Sequence, residues 1–94
     1  MQMTREEALG LLLRKCREKA GLTQMQLAMK MHWSQSCVSN AEKGKRLPDI
    51  FKIMDWARVT QAQEALALFV AGADVSYIIQ TVLDMVACTL PLIA

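Results

Sequence analysis

Gln35, Ser36, Ser39, Asn40 and Lys43 recur at intervals that place them on one face of a helix, and all five are polar. Gln35, Ser36 and Asn40 carry short hydrogen-bond donors and acceptors suited to the edges of nucleic-acid bases. A merely solvated helix face is usually dressed with Glu and Lys instead. The chemistry on offer is therefore recognition by hydrogen bonding. Covalent chemistry has no comparable support: His32 is the only histidine, and no Cys, Ser or carboxylate pair stands at a matching distance in sequence. Neither a metal-ligand spacing, nor a Gly-rich phosphate loop, nor a nucleophile motif occurs. The chain is expected to be a non-enzyme without cofactor, metal or small-molecule ligand.

Two short helices placed almost end to end must present that polar face. Thr23 and Gln26 have the spacing of a capping box, and Leu27, Ala28 and Met31 follow as one apolar stripe. His32 and Trp33 then separate this helix from Ser34, a favourable N-cap for a second one. The second helix should run from Gln35 to about Lys43 and stop at Gly44, with Val38 and Ala41 pinning it to a core. So short a link forces a steep crossing, the helix-turn-helix geometry.

The run Arg17, Gly21-Leu22-Thr23-Gln24, Leu27-Ala28, Ser34, Val38-Ser39, Glu42, Gly44-Lys45-Arg46 and Pro48 resembles the Xre family, the DNA-binding domains of lambdoid Cro and repressor proteins. The resemblance covers roughly residues 5–58. It implies an all-α, lambda-repressor-like bundle of about five helices, here with an additional apolar helix after it. It further implies base contacts from Gln35, Ser36 and Asn40, and a phosphate contact from Gln24. Ser39, Lys43, Lys45 and Arg46 join Gln24 as expected phosphate contacts, the last two because they follow the recognition helix directly. Arg17 and Glu42 match the family's structural ion pair, a forked guanidinium–carboxylate contact that would fix the helix tilt. One departure lies in the turn, where the family commonly has Gly and this chain has His32; His tolerates positive φ better than most residues.

Charge distribution agrees with that assignment. All 11 Lys and Arg fall within residues 1–58, against six acids there, leaving +5. Residues 59–94 hold three acids and no base. The cationic part coincides with the proposed DNA reader, as phosphate attraction requires. Cys16, Cys37 and Cys88 fit neither a disulfide framework nor a zinc pattern and read as reduced, small apolar residues. Met1–Glu7 lacks the basic-then-apolar pattern of a signal peptide. A cytoplasmic protein of bacterial or prophage origin is expected.

The flanking segments are helical by pattern. Thr4 and Glu7 open a first helix whose apolar face is Leu9, Leu12, Leu13, Cys16 and Ala20. Pro48 and Asp49 open a fourth, with Ile50, Ile53, Met54 and Ala57 closing the bundle and Phe51 and Trp56 flanking as core aromatics. Trp33 is open to two roles, stapling the recognition helix or standing against the DNA backbone. Thr60 and Gln63 are expected to cap a fifth helix bearing Ala62, Ala65, Leu66, Phe69 and Val70, which Gly72 ends. Asp74 then caps a last helix with Val75, Ile78, Ile79, Val82, Leu83 and Val86 on one face. Uncharged runs at 65–73, 75–83 and 85–94 are too short to span a bilayer.

The expected organisation is a DNA-binding domain at 1–59 and, at 60–94, an element that completes the bundle and mediates dimerisation. The last helix could complete the monomer core or pack against its two-fold mate. The second is preferred, because two-fold symmetry lets such readers grip palindromic half-sites about 34 Å apart. Expected function follows: a homodimeric repressor binding double-stranded DNA at an inverted-repeat operator. An antitoxin or restriction-modification controller of the same family is the nearest alternative. A protein-interaction module that leaves DNA untouched is the rival from another class.

Overall fold

The computed structural model describes residues 3–81. Five helices, α1 (Arg5–Lys19), α2 (Gln24–Lys30), α3 (Gln35–Glu42), α4 (Ile50–Thr60) and α5 (Gln63–Val70), are followed by helical residues 75–81, here α6. No strand occurs among the described residues, so the fold is an all-α bundle.

Local sequence sets the helix starts. The Thr4 hydroxyl accepts from the Glu7 amide at 3.0 Å while the Glu7 carboxylate accepts from the Thr4 amide at 2.9 Å. Thr23 and Gln26 repeat the arrangement at 3.1 and 2.9 Å. Ser34 and Asp49 cap α3 and α4 through the amides of Cys37 and Lys52. Each bond satisfies an amide that the helix itself leaves unpaired. The link between α2 and α3 turns at His32, whose φ of 54° lies in the left-handed region, and the Trp33 amide closes the turn onto the Ala28 carbonyl at 2.8 Å.

One core runs through the described chain. Leu12, Leu13 and Cys16 from α1 meet Leu27, Ala28, Val38 and Ala41 from α2 and α3; Trp56, Ala57, Ala65, Leu66 and Ile78 complete it. Burial pushes the Cys16 thiol up to about 11, only slightly offset by Lys19, so it stays protonated at neutral pH.

Three expectations need correction. Helix α4 is rotated so that Trp56, Ala57 and Thr60 face inward, while Ile50, Phe51 and Met54 remain 57, 73 and 55% exposed. The Trp56 indole Nε1 donates to the Leu13 carbonyl at 3.0 Å, and this anchor decides which apolar side of α4 is buried. Thr60 does not cap α5: it is the last residue of α4, and its hydroxyl donates to the Trp56 carbonyl at 2.7 Å. Gln61, at φ 55°, ends α4, and Ala62 starts α5 without a side-chain cap. Ala20 and Val70 are exposed, each at or near the last turn of its helix, where the chain leaves the core.

Gly10, in mid-helix, allows α1 to touch the end of α3. A Cβ there would lie 2.6 Å from the Ala41 carbonyl oxygen, 2.7 Å from that of Glu42 and 2.9 Å from the Gly44 amide nitrogen. All three are backbone atoms, which cannot swing aside as a side chain can. Gly10→Ala should therefore destabilise by about 1–3 kcal/mol through overpacking, despite alanine's better helix propensity. A urea titration of both proteins measures this.

Candidate nucleic-acid interface

Helix α3 exposes Gln35 and Ser36 at its first turn, with Ser39 and Asn40 partly exposed one turn later. Lys43, Lys45 and Arg46 are exposed immediately beyond it, around Gly44. Gly44 sits at φ 73°, and a Cβ on it would come within 2.8 Å of the Glu7 Cα. The loop that carries the cations is thus held against the start of α1 by a glycine no other residue can replace without strain.

Behind α3, Arg17 and Glu42 form a two-pronged ion pair. Arg17 Nε donates to Glu42 Oε2 at 2.6 Å and Nη2 to Oε1 at 3.1 Å, with side chains 12 and 3% exposed. Arg17 Nη1 also donates to the Leu22 carbonyl at 2.8 Å, tying the α1–α2 link to the same point. The hydrogen bond to Glu42 raises the Arg17 pKa above its ordinary value, while burial pulls the other way.

Gln24, partly exposed at the start of α2, is not a free phosphate ligand in this arrangement. Its Nε2 donates to Glu42 Oε1 at 3.0 Å and its Oε1 accepts from Gln35 Nε2 at 3.4 Å. The structure thereby joins four of the residues singled out in the sequence, Arg17, Glu42, Gln24 and Gln35, into one chain of bonds.

Lys52 was not anticipated. Its Nζ donates to the Met31 carbonyl at the end of α2, 2.9 Å away, and stands 5.8 Å from the centroid of the half-buried Trp33 ring. Helix α4 thus holds the turn between α2 and α3. Sequence carried no signal for this, because the contact depends on how α4 crosses the turn. Trp33, Ser36, Asn40, Arg46 and Lys52 line an open recess of about 470 Å³ beside α3.

A family model described as a helix-turn-helix domain matches residues 8–69. The chain belongs to the helix-turn-helix domain family. Its match begins in α1 and ends in α5, so the helix-turn-helix domain takes in both the α2–α3 pair and the helices that support it. Members of this family are DNA-binding proteins of the regulatory type, whose second helix enters the major groove. No curated protein and no solved structure matches this helix-turn-helix chain significantly.

The residues expected to form a dimer contact divide. Ile78 is fully buried in its own chain's core, so it is spent on the monomer and not offered to a partner. Val75 and Ile79 are partly buried against the same core. Val82, Leu83 and Val86 lie outside the described residues. Among the described residues no helix is long and apolar enough to cross a membrane, and no group of three His, Cys, Asp or Glu could hold a metal.

Proposed function

We propose that this protein is a sequence-specific transcriptional repressor of the Xre type, of prophage style, acting as a homodimer on an inverted-repeat operator in the cytoplasm. The observation that carries the reading is the exposed polar edge of α3, Gln35 and Ser36, flanked by the exposed cations Lys43, Lys45 and Arg46. Bases are read by the first group and phosphates held by the second, with Asn40 and Ser39 supplementing each. Gln24 serves phosphate only with hydrogen-bonding capacity left over from Glu42 and Gln35.

Dimerisation is supported by apolar surface. Ile50, Phe51, Met54, Val70 and Tyr77 are all more than half exposed, more large apolar surface than a small monomer ordinarily leaves wet. In this reading residues 1–59 read DNA, and residues 60–94 complete the bundle and contribute to pairing. No ligand-sensing element enters, and occupancy of a promoter blocks polymerase.

Footprinting the full chain on the DNA upstream of its own gene tests the reading; a protected inverted repeat is expected, and no protection anywhere on that DNA counts against it. Two variants separate the roles. Gln35→Ala should lose about 1–3 kcal/mol on the cognate site and relax base choice at one position. Lys45→Ala should weaken all sequences alike and flatten the salt slope by about 1. Fluorescence anisotropy on the footprinted duplex and on a scrambled one reads both.

A further inference from the structure

We propose that Glu42, acting through Gln24, sets the direction in which Gln35 presents its amide and so fixes adenine over guanine at one operator position. This rests on the reading of Gln35 as a base contact. The carboxylate of Glu42, clamped by Arg17 at 2.6 and 3.1 Å, is ionised and can only accept hydrogen bonds. The group Gln24 turns toward it must therefore be the amide NH2, seen at 3.0 Å. The Gln24 oxygen is left pointing the other way, where it accepts from Gln35 Nε2 at 3.4 Å. Each amide fixes the sense of the next, and the buried ion pair is the end that cannot turn round.

Gln35 then faces solvent with its second N–H beside its oxygen. That adjacent donor and acceptor matches N7 and the N6 amino group of adenine in the major groove. With the amide reversed, its oxygen would face Gln24 and both N–H groups would face outward. Two donors match guanine, whose N7 and O6 both accept. Glu42 and Gln24 are accordingly positioning residues: neither needs to touch a base to decide which base is preferred.

The test is selection from a random-sequence duplex DNA library with the full chain, comparing the wild type, Gln24→Met, Glu42→Gln, Gln35→Ala and the Gln24→Met/Gln35→Ala double variant. Methionine keeps the length of Gln24 while removing both hydrogen bonds. Wild type should enrich a motif with adenine favoured at one position. Gln24→Met should lower the adenine-to-guanine ratio there by at least about fivefold, the low end for one bidentate contact. The double variant should lose no more preference at that position than Gln35→Ala alone. Glu42→Gln, able to donate as well as accept, should lose the same preference if its melt shows it folded; if it does not fold, Gln24→Met decides. An unchanged ratio in Gln24→Met, with all sites weakened alike, would overturn the relay and leave Gln24 as a phosphate contact only. No enriched motif for the wild type would instead overturn the DNA-reading function itself.

Discussion

Arg17→Met should lower the unfolding free energy by about 3–5 kcal/mol, because it strands the Glu42 carboxylate in the interior. Glu42 is only 3% exposed at its side chain, so water cannot replace the two guanidinium bonds it loses. Gln24 still donates to Oε1, but a neutral amide does not compensate a charge. The Leu22 carbonyl loses its donor in the same substitution, loosening the entry to α2. Much of the loss is the cost of leaving one partner buried alone. Removing both charges in Arg17→Met/Glu42→Leu should therefore recover part of the stability. Urea titrations of the two variants provide the measurement; a double variant no better than the single would place the effect in packing and not in charge.

Trp56→Ala should cost a comparable amount, about 3–5 kcal/mol, for the largest fully buried side chain of the described core. Two losses combine, a cavity where four helices converge and a Leu13 carbonyl deprived of its indole donor. Trp56→Phe divides them, since it keeps most of the volume and gives up the hydrogen bond. That variant should lose about 1–3 kcal/mol, the cost of an unsatisfied buried acceptor plus a small void. The effect should reach DNA binding as well. Lys52, one turn before Trp56 on α4, holds the Met31 carbonyl, so a shifted α4 releases the turn that aims α3. Thermal melts followed by near-ultraviolet circular dichroism report the first effect and anisotropy the second.

How much of this was legible in the sequence depends on the range over which each feature is determined. Caps were legible because their bonds span three residues: Thr4 with Glu7, Thr23 with Gln26, and Ser34 and Asp49 each declared a helix start from local spacing alone. The rotation of α4 was not, because apolar residues surround that helix. Ile50, Phe51, Ile53, Met54, Trp56 and Ala57 offer several possible stripes, and only the long-range indole bond to Leu13 selects one. Thr60 misled for a related reason, since a threonine near a helix boundary can cap forward or bond back to its own helix.

Gly10 gave no usable signal, because glycine within a helical pattern reads as a weakness until the neighbouring backbone is known to lie against it. At the site itself, residue types revealed which side chains could read bases. The order in which Glu42, Gln24 and Gln35 donate and accept could not be read from spacing. It emerges only when α1, α2 and α3 are brought together around one buried carboxylate.

The most direct measurement is the salt dependence of binding to the footprinted duplex, by anisotropy between 50 and 200 mM monovalent salt with a scrambled duplex alongside. If Lys43, Lys45 and Arg46 of two protomers hold phosphates, log affinity should fall against log salt with a slope of about −5. The footprinted duplex should stay about 10³-fold or more tighter than the scrambled one throughout. A slope near zero, or equal affinity for the two duplexes, would contradict sequence-specific DNA recognition by α3.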